Sequence, residues 1–587
     1  MLKRSLAIAV FITFTGTAFG QLNLLSGLNS LVQSTDQTLT GLLGGSSKIS
    51  PDLQGLDPNS SVDVIVQFNQ LPAVGLLEQI PLLGGVVKST FSLVNAVLCT
   101  LPVPVIKLVA ALPFVTYITP DRPVGLLLDN SAAAVNASAA WQAGLNGTGI
   151  GVAVIDSGIT NHPDLDGPNG NFRVVYSQSF VGGGTDDLYG HGTHVAGIVA
   201  GDAVSSTCPS CTRTLRGIAS GANLINLRVL DQNGQGRDSA VLRALDTVLL
   251  MHRQYNIRVV NLSLGRPIYE SYKWDPLCEA VEALWRNGIT VVVAAGNDGR
   301  DNYANTGGYG TIDAPGNDPY VITVGAMKTM GTHDRSDDLI ASYSSKGQTA
   351  IDHVVKPDIV APGNLVVSLL APNTTLPNTY PQTLIPFSYY ESTYSTALSN
   401  VYYMLSGTSM ATPVVSGAVA DLLEAEPNLT PDQVKAKLMR TAYKRFPGSS
   451  TATEPTTGQT YTSFYDVFTV GAGYLDIQAA LNDKNTPRGS ALSPTATYNS
   501  SSKTVTFSTA STATWNTSPV WDVRTVWGTG QFLSGTRTVW GTRTVWGTGG
   551  TSGFNAIWST QYDSGTRTVW GTGSATEAES IMTNGEN

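Results

Sequence analysis

The central part of this 587-residue chain alternates short, β-rich apolar runs with longer helical patterns. Five of the apolar runs predict buried strands: residues 151–156, 223–230, 258–264, 290–296 and 320–326. Strands that alternate with helices favour a parallel sheet with helices packed on both of its faces. We therefore predict an α/β domain with a mostly parallel sheet over residues 131–485.

The helical patterns between and after these runs carry their own signals. Residues 239–255 place five apolar side chains on one helical stripe: Val241, Leu242, Leu245, Val248 and Leu249. Residues 275–288 predict a second helix, which Gly288 ends. A third helix begins with Thr430 as its N-cap and Pro431 at its first helical position.

Length and charge narrow the possible classes of protein. A chain of this length predicts two to four domains, and a hydrophobic content of 42% suffices for packed cores. Charged residues make up only 13%, about half the usual share. A formal net charge of −9 argues against binding to nucleic acid or to an anionic membrane.

The first twenty residues have the pattern of a signal peptide. Lys3 and Arg4 precede an apolar run, and the small residues Ala18 and Gly20 come before Gln21. No later run is long enough to span a membrane without an interrupting Pro or charge. We expect residues 1–20 to be removed and the mature protein to be soluble and secreted.

Four cysteines fit an exported protein only in part. Cys208 and Cys211 form a C-x-x-C in a loop rich in Ser, Thr and Pro, without a second pair or nearby histidines. That makes a poor zinc site, so we predict a small loop disulfide. Cys278 lies on an apolar helix face and is predicted to be a buried free thiol.

Three glycine-bracketed words in the α/β region carry reactive side chains. Asp156 ends a buried strand in "VIDSGI", His191 lies at a helix start in "GHGTHVAG", and Ser409 enters a helix in "GTSMATP". Taken singly, each has a structural interpretation: Asp156 as a strand-end cap or Asx turn, and Ser409 as an N-cap. Taken together, Ser, His and Asp supply the nucleophile, the base and the orienting anion that amide hydrolysis needs.

A fourth word supplies a partner for the oxyanion of such a reaction. "AAGN" ends a buried strand in Asn297, whose amide could point into the same site. A serine at a helix N-terminus adds its own backbone N–H, with the helix dipole behind it. The structural alternative for Asn297 is a turn-forming residue before Gly299.

These four words, in this order, resemble the subtilase family of serine endopeptidases, of the subtilisin and proteinase K type. Supporting matches are "HPDL" (162–165), "KPDIVAPG" (356–363) and "GAGYLDIQAAL" (471–481), so the likeness covers roughly residues 140–482. The resemblance implies the subtilisin-like three-layer α/β fold with a mostly parallel sheet. It also implies hydrolysis of peptide bonds.

The resemblance assigns a role to each residue. Ser409 would be the nucleophile, His191 the general base and then acid, and Asp156 the residue that orients the imidazole. Asn297 would be the side-chain oxyanion donor. His194, one turn into the helix, is expected to be packed or hydrogen-bonded, since a metal site needs a further ligand.

The resemblance also implies a substrate-binding edge. A substrate would lie as an extended strand beside Ser263, Leu264 and Gly265, and Ala294, Ala295 and Gly296 would form the facing wall of the pocket. Asp313 aligns near the floor of that pocket, where an acid would favour Lys or Arg, or else it is a solvated loop carboxylate. No cofactor is required; the family often carries structural calcium, but no acidic loop here allows ligands to be assigned.

Residues 21–130 resemble, more faintly, the family's inhibitory propeptide, a small α+β domain. Residues 62–68 would be its first strand and 114–120 its last, with processing between about Asp121 and Ser131. The middle, residues 81–109, fits an amphipathic helix only loosely. The chain's own propeptide would then be a partner, as an inhibitor, beside protein or peptide substrates.

Residues 486–587 form a tail rich in Trp, Thr and Gly. The word "RTVWGT" starts at Arg524, Arg537, Arg543 and Arg567, with irregular spacing. We predict either short β-hairpins or disorder. An aromatic face for sugars or for attachment to the cell surface is one interpretation, and a secretion-related extension is another.

Two functions of different classes therefore remain. The first is a secreted subtilisin-like endopeptidase made as a self-processing zymogen. The second is a cell-surface binding protein whose repeats carry the function and whose peptidase domain mainly processes itself. The intact Asp156, His191, Ser409 and Asn297 favour the first, and a metallopeptidase is the least supported.

Overall fold

The structure is a computed structural model whose chain divides into two compact units, Met1–Val124 and Gly125–Asn587. It describes residues 48–50, 53, 56–70, 79–91, 95–120, 127–128, 130–167, 170–301, 306–392, 397–454, 457–499, 504–516, 538–540, 544–546 and 575–586. The predicted signal peptide lies outside these residues.

The first unit contains a four-stranded antiparallel sheet. Its strands are β1 (Ser61–Phe68), β2 (Val86–Phe91), β3 (Ala96–Pro102) and β4 (Val115–Pro120), in the order β2-β3-β1-β4. Two helices accompany them, α1 (Gln79–Leu82) and α2 (Val103–Ala110). Val64, Val66 and Ile118 lie in its core, so the two strands predicted from residues 62–68 and 114–120 are present.

The middle of this unit differs from the loose helical pattern over residues 81–109. Two strands occupy most of that stretch, and the helix α2 begins only at Val103. In β3, buried and partly exposed residues largely alternate, which is the period of a strand. Pro104 is tolerated in the first turn of α2, where its missing N–H has no helical partner to lose.

The second unit is built on an eight-stranded sheet. Its strands are β6 (Gly151–Asp156), β7 (Val174–Ser179), β9 (Asn223–Arg228), β10 (Ile257–Leu262), β11 (Thr290–Ala294), β12 (Ile322–Lys328), β13 (Leu339–Ile340) and β14 (Ile359–Pro362). The order is β13-β12-β11-β10-β6-β9-β7, and β14 also pairs with β12. Only the β12–β13 pairing is antiparallel among those described.

Helices cover both faces of this sheet. The longer ones are α5 (His191–Ala200), α6 (Asp238–Met251), α7 (Pro276–Arg286), α9 (Thr408–Ala425) and α10 (Pro431–Thr441). Along β6, Val152 and Val154 pack in one core with α5 and α9, whereas Ala153 and Ile155 pack in another with α6 and α7. Burial on both faces explains the continuous apolar runs and confirms the predicted three-layer α/β fold.

The predicted helix signals are present as well. Thr430 caps α10 in a capping box with Gln433, and Pro431 occupies its first position. The helix α7 ends at Arg286, and Gly288 follows with a φ of +83°. Cys208 and Cys211 form the predicted disulfide, and Cys278 is a buried thiol.

Shorter elements complete the second unit. The helices are α3 (Asn130–Ala134), α4 (Ser138–Gln142), α8 (Thr375–Thr379), α11 (Val467–Val470), α12 (Ile477–Asn482) and α13 (Ala575–Asn584). The strands are β5 (Leu127–Leu128), β8 (Arg213–Thr214), β15 (Val366–Leu369), β16 (Leu384–Pro386), β17 (Leu398–Leu405), β18 (Ser449–Thr453), β19 (Thr460–Phe464), β20 (Thr495–Asn499), β21 (Thr504–Ser508), β22 (Thr538–Trp540) and β23 (Thr544–Trp546).

Part of the predicted tail belongs to this unit. Ala496, Val505 and Trp515 are buried in the same core as α9. Two of the repeats pair their strands β22 and β23 in an antiparallel hairpin, while most of the RTVWGT region lies outside the described residues. The domain boundaries given from the sequence stay predictions.

In the described part of the chain, no helix has the length and apolar character to cross a membrane.

Candidate active site

The candidate residues gather at one edge of the eight-stranded sheet. Asp156 is the last residue of β6, Ser263 directly follows β10, and Asn297 comes three residues after β11. These strands run parallel, so their carboxyl ends share an edge. This is the edge at which open α/β sheets bind their ligands.

Asp156 and His191 form a buried pair at this edge. Asp156 Oδ1 lies 2.7 Å from His191 Nδ1, and both side chains are 1% exposed. The same oxygen accepts the backbone N–H of Ser157 at 2.7 Å. Burial alone would lower the pKa of His191, but the charge and hydrogen bond of Asp156 outweigh it. The pKa of His191 therefore lies above its usual value, with a further contribution from Asp187.

Asp187 supports the loop that presents His191, and the sequence reasoning missed it. Its Oδ1 accepts the hydroxyl of Ser157 at 2.8 Å and the N–H of Gly190 at 2.7 Å, and its Oδ2 accepts the N–H of Thr193 at 2.8 Å. Burial raises the pKa of Asp187, although these donors oppose the shift. An aspartate just before "GHGTH" was the available signal, but Asp186 beside it is exposed and the sequence alone does not distinguish them.

Ser409 lies in the first turn of α9, which packs against α5. Its hydroxyl donates to the carbonyl of Ser263 at 3.1 Å, and the Ser263 hydroxyl donates back to the Ser409 carbonyl at 2.8 Å. Gly407 caps the helix at a φ of +145°, a region that glycine adopts readily and other residues rarely. At this position in a helix a backbone N–H has no partner in a preceding turn, so the N–H of Ser409 can donate toward a substrate.

Asn297 is held against the start of α9 by Thr408. The backbone N–H of Thr408 donates to Asn297 Oδ1 at 2.9 Å, and the Thr408 hydroxyl donates to the same oxygen at 3.2 Å. An oxyanion needs a hydrogen-bond donor. With Oδ1 held by Thr408, the donor that Asn297 offers is its Nδ2 amide. The structure thus brings the predicted oxyanion donor next to the residue that precedes Ser409.

The candidate substrate-binding segments enclose Asp313. A Cβ at Gly265 would lie 3.0 Å from Asp313 Cβ, and a Cβ at Gly296 would lie 2.6 Å from Asp313 Oδ2. The N–H of Asp313 donates to the carbonyl of Ala295 at 3.0 Å. Leu264 and Ala294 are buried in the same two segments. The Asp313 carboxyl is therefore beside both glycines and is buried, which excludes a solvated loop position.

His194 is packed rather than directed to a metal. Its Nε2 lies 3.1 Å from the carbonyl of Val366, and its ring packs edge-on against Tyr403 at 5.0 Å. Burial, and then the charge of His191, lower the pKa of His194 to about 3. Among the described residues, no group of three or more His, Cys, Asp or Glu side chains could hold a metal ion.

A buried Asp–His pair and a serine at a helix N-terminus, in a three-layer α/β fold, are features expected of a serine peptidase. Comparison with known proteins agrees. The sequence model of the subtilase family matches residues 147–473. The chain is 38% identical over 331 residues to the serine protease AprX of Bacillus subtilis, which covers 54% of this chain and 67% of that protein.

Two further relatives extend this result. Subtilisin DY of Bacillus licheniformis is 32% identical over 340 residues, covering 57% of this chain and 92% of the subtilisin. The extracellular serine proteinase of a Thermus species is 34% identical over 294 residues, covering 50% of this chain and 55% of that proteinase. The chain belongs to the subtilase family. It is a serine-type endopeptidase, and its substrates are proteins or peptides.

Proposed function

We propose that this protein is a secreted endopeptidase, made as a self-processing zymogen, that cleaves peptide bonds with Ser409, His191, Asp156 and Asn297. The observation that carries the proposal is the meeting of three groups at one sheet edge. These are the Asp156–His191 pair at 2.7 Å, the Ser409 hydroxyl at the start of α9, and the Asn297 amide fixed by Thr408.

The reaction follows from this arrangement. The Ser409 hydroxyl turns from the Ser263 carbonyl, gives its proton to His191 and attacks the carbonyl carbon of the substrate. The oxyanion formed accepts hydrogen bonds from Asn297 Nδ2 and the backbone N–H of Ser409. His191 then protonates the leaving amine, which leaves an acyl group on Ser409. Water, deprotonated by His191, releases that acyl group as a carboxylic acid and restores the serine.

Asp156 makes this proton transfer possible. It accepts the Nδ1 hydrogen of His191, so the neutral ring presents Nε2 as a base. When the imidazole gains a second proton, the buried carboxylate stabilises the cation. Side chains and backbone of the chain carry every proposed step, so the proposal requires no cofactor. The family resemblance allows a structural calcium ion, for which no ligands are assigned.

A serine-directed phosphonate tests the proposed nucleophile. We expect the reagent to abolish hydrolysis of a peptide substrate and to leave one adduct, which peptide mapping assigns to Ser409. The variant Ser336→Ala, at an exposed serine of a surface turn, should react as the wild type does. An adduct on another serine, or full activity after complete labelling, would contradict the proposal.

The position of Asp313 supports a preference for Lys or Arg before the cleaved bond. Its carboxyl lies beside Gly265 and Gly296, which belong to the two segments that the resemblance assigns to the substrate pocket. A cationic side chain entering between them would meet the carboxylate. Comparing paired substrates with Lys or Phe at this position tests the preference. We expect Asp313→Asn to lower kcat/KM at least 10-fold for Lys and by less than about twofold for Phe.

The first unit supports the propeptide proposal. It forms a compact unit of its own, and the division after Val124 falls inside the range predicted for processing, Asp121 to Ser131. Secretion is supported by the N-terminal sequence pattern and by the Cys208–Cys211 disulfide. Attachment of the RTVWGT region to a cell surface or carbohydrate remains a prediction.

A further inference from the structure

Residues Ser580–Glu586, which we name the distal latch, pack into the core of the peptidase unit. Ile581 is 2% exposed and belongs to the same core as Trp515. The whole RTVWGT region, residues 524–572, lies between these two residues in sequence. The backbone N–H of Ser406 donates to the carbonyl of Met582 at 2.9 Å, which joins the latch to the segment leading into α9.

The Glu586 carboxylate occupies a buried site with two cations. Its Oε1 lies 2.7 Å from Lys328 Nζ, its Oε2 lies 3.0 Å from a guanidinium nitrogen of Arg300, and the carboxylate side chain is 1% exposed. The backbone N–H of Ser342 donates to Oε2 at 2.9 Å, and the Ser342 hydroxyl also donates to it. Both cationic side chains are themselves at least 96% buried. A buried carboxylate is tolerated only with partners of this kind.

The backbone of the latch is recognised as well. Asn364 donates from Nδ2 to the carbonyl of Glu586 at 2.7 Å and accepts its N–H at 2.8 Å through Oδ1. Gly585 has a φ of +64°, and a Cβ there would lie only 2.4 Å from a methyl carbon of Leu365. The site therefore selects a glycine followed by a glutamate.

On one side, residues of this site contact the loop of Asn297, the proposed oxyanion donor. Ser342 begins a short segment that holds the loop around Asn297. The N–H of Gly299 donates to the carbonyl of Tyr343 at 2.8 Å, and the N–H of Ser345 donates to the carbonyl of Gly296 at 3.0 Å. Arg300, which binds Glu586, comes three residues after Asn297.

On the other side, the latch and its site contact the segment that precedes Ser409, the proposed nucleophile. Ser406, which binds the latch through Met582, comes three residues before Ser409. Its hydroxyl accepts the N–H of Leu365 at 2.9 Å. The next residue, Gly407, donates its N–H to the carbonyl of Gly363 at 2.7 Å. Asn364, between these two partners, is the residue that binds Glu586.

We propose that the distal latch is an intramolecular peptide ligand that fills an acidic-peptide site formed by Arg300, Lys328, Ser342 and Asn364, and that its binding positions Asn297 and Ser409 for catalysis. The latch residues touch neither substrate nor reacting atoms, so they are positioning residues. The proposal rests on the function proposed above, because it assigns the latch an effect on those two groups. Any peptide with the same Gly-Glu pair would be a ligand of the site.

The charge of Glu586 makes the latch sensitive to acid. Burial alone would raise the pKa of Glu586, but Lys328, Ser342 and Arg300 together bring it below its usual value. A group of this kind contributes stability above its unfolded pKa and loses it as the pH falls through the lower folded value. The latch should therefore stay bound at neutral pH and loosen only in strong acid.

Matched full-length variants test the proposal. Glu586→Gln removes the charge without changing the shape, and Glu279→Gln makes the same change at an exposed glutamate of α7, outside the latch and its site. We expect Glu586→Gln to lower kcat by on the order of 10-fold, with KM within about twofold, because misplaced catalytic groups slow the chemical step more than binding. Glu279→Gln should match the wild type. An unchanged kcat in folded Glu586→Gln would overturn the proposal.

A synthetic peptide of residues 575–587 provides the second readout. Added in excess to the Glu586→Gln chain, it should displace the altered latch and restore most of the lost kcat. The same peptide with glutamine at position 586 should restore none of it. Rescue by both peptides, or by neither, would overturn the assignment of the site to an acidic peptide.

Binding can be measured apart from catalysis. The fluorescently labelled peptide should bind the full-length Ser409→Ala/Glu586→Gln chain at least 10-fold more tightly than the glutamine-containing peptide does. Absence of that difference overturns the latch, whereas hydrolysis by Ser409→Ala overturns the proposed function instead. If Glu586→Gln yields no folded protein, Glu586→Asp carries the test. It keeps the charge on a shorter side chain, and we expect a kcat below that of the wild type, which the peptide of residues 575–587 should raise. A wild-type kcat in Glu586→Asp that the peptide does not change would overturn the proposal.

Discussion

Two buried aspartates of the peptidase unit contact basic side chains and differ in how many of their carboxylate oxygens are hydrogen-bonded. Asp358 is bound on both oxygens: Lys356 lies 2.7 Å from Oδ2 and Lys435 lies 3.2 Å from Oδ1. The Ser493 hydroxyl and the Thr323 N–H complete its shell. Asp156 binds His191 through Oδ1, while its Oδ2 has no hydrogen-bond partner among the described residues.

The difference separates a structural pair from a chemical one. Asp358 accepts from two lysines and two further donors, so both of its oxygens are occupied. Asp156 has one basic partner, and that partner is a group whose usual pKa lies near neutrality. The proton of His191 can therefore move within the pH range in which the enzyme works. The comparison predicts that substitution of Asp156 affects turnover and substitution of Asp358 affects folding.

Asp156→Asn should give the largest effect. The amide can no longer fix the imidazole with Nδ1 protonated or stabilise its cation, so we expect kcat to fall by about 10⁴-fold. The free energy of unfolding should change by less than about 1 kcal/mol, because the amide still fits the site. Steady-state kinetics and urea unfolding measure the two quantities. If the loss of unfolding free energy were as large as the increase in activation free energy, Asp156 and Asp358 would not differ in role.

Asp358→Asn should act on stability instead. It leaves Lys356 and Lys435 buried without their carboxylate, which costs about 3–5 kcal/mol of unfolding free energy. Urea unfolding is measured in the Ser409→Ala background, because this substitution prevents self-digestion. Kinetics of the otherwise wild-type variant, scaled by active-site titration, should give an unchanged kcat. A kcat reduced tenfold per active site would contradict the structural assignment of Asp358.

The pH dependence of this loss follows from Lys435. Burial lowers the pKa of Lys435 to about 7, against the opposing charge of Asp358. The lysine is charged at pH 6 and largely neutral at pH 9. The destabilisation caused by Asp358→Asn should therefore be larger at pH 6 than at pH 9, and an equal loss at both would show that charge is not its origin.

Asp187→Asn should give the smallest effect, a shift of the pH profile. In the proposed reaction His191 acts as a neutral base, so we expect activity to fall as the pH decreases through the pKa of His191, which lies above its usual value. The charge of Asp187 helps to raise that pKa, and its removal should move the midpoint toward lower pH. The measurement is kcat/KM of an uncharged peptide from pH 5 to 9. A midpoint that stays in place or rises would exclude an electrostatic contribution from Asp187.

Local patterns made the sheet and the reactive residues predictable. Strands β6, β10 and β11 are largely apolar runs bounded by glycine or polar turns, since their two faces are buried. Asp156, His191 and Ser409 stand in short words whose glycines mark tight turns. These are properties of neighbouring residues, so they can be read along the chain.

Contacts between distant segments were not predictable in the same way. The partners of Glu586 come from Arg300, Lys328 and Ser342, far earlier in the sequence. Lys356 and Asp358 stand in one word, but the sequence does not indicate that Lys435 completes their cluster. In the first unit, the apolar residues of β2 and β3 fitted a helix only loosely. The pairing of β3 with the distant β1, and of β2 with β3, decides that they form strands.

The central claim is that Ser409 makes this chain a self-processing endopeptidase. Intact-mass analysis of purified wild type beside Ser409→Ala tests it directly. We predict that the wild type loses the residues before a site between about Asp121 and Ser131. Ser409→Ala should keep these residues and have the mass expected after removal of the signal peptide alone. Identical processing of the two proteins, or no processing of either, would contradict it.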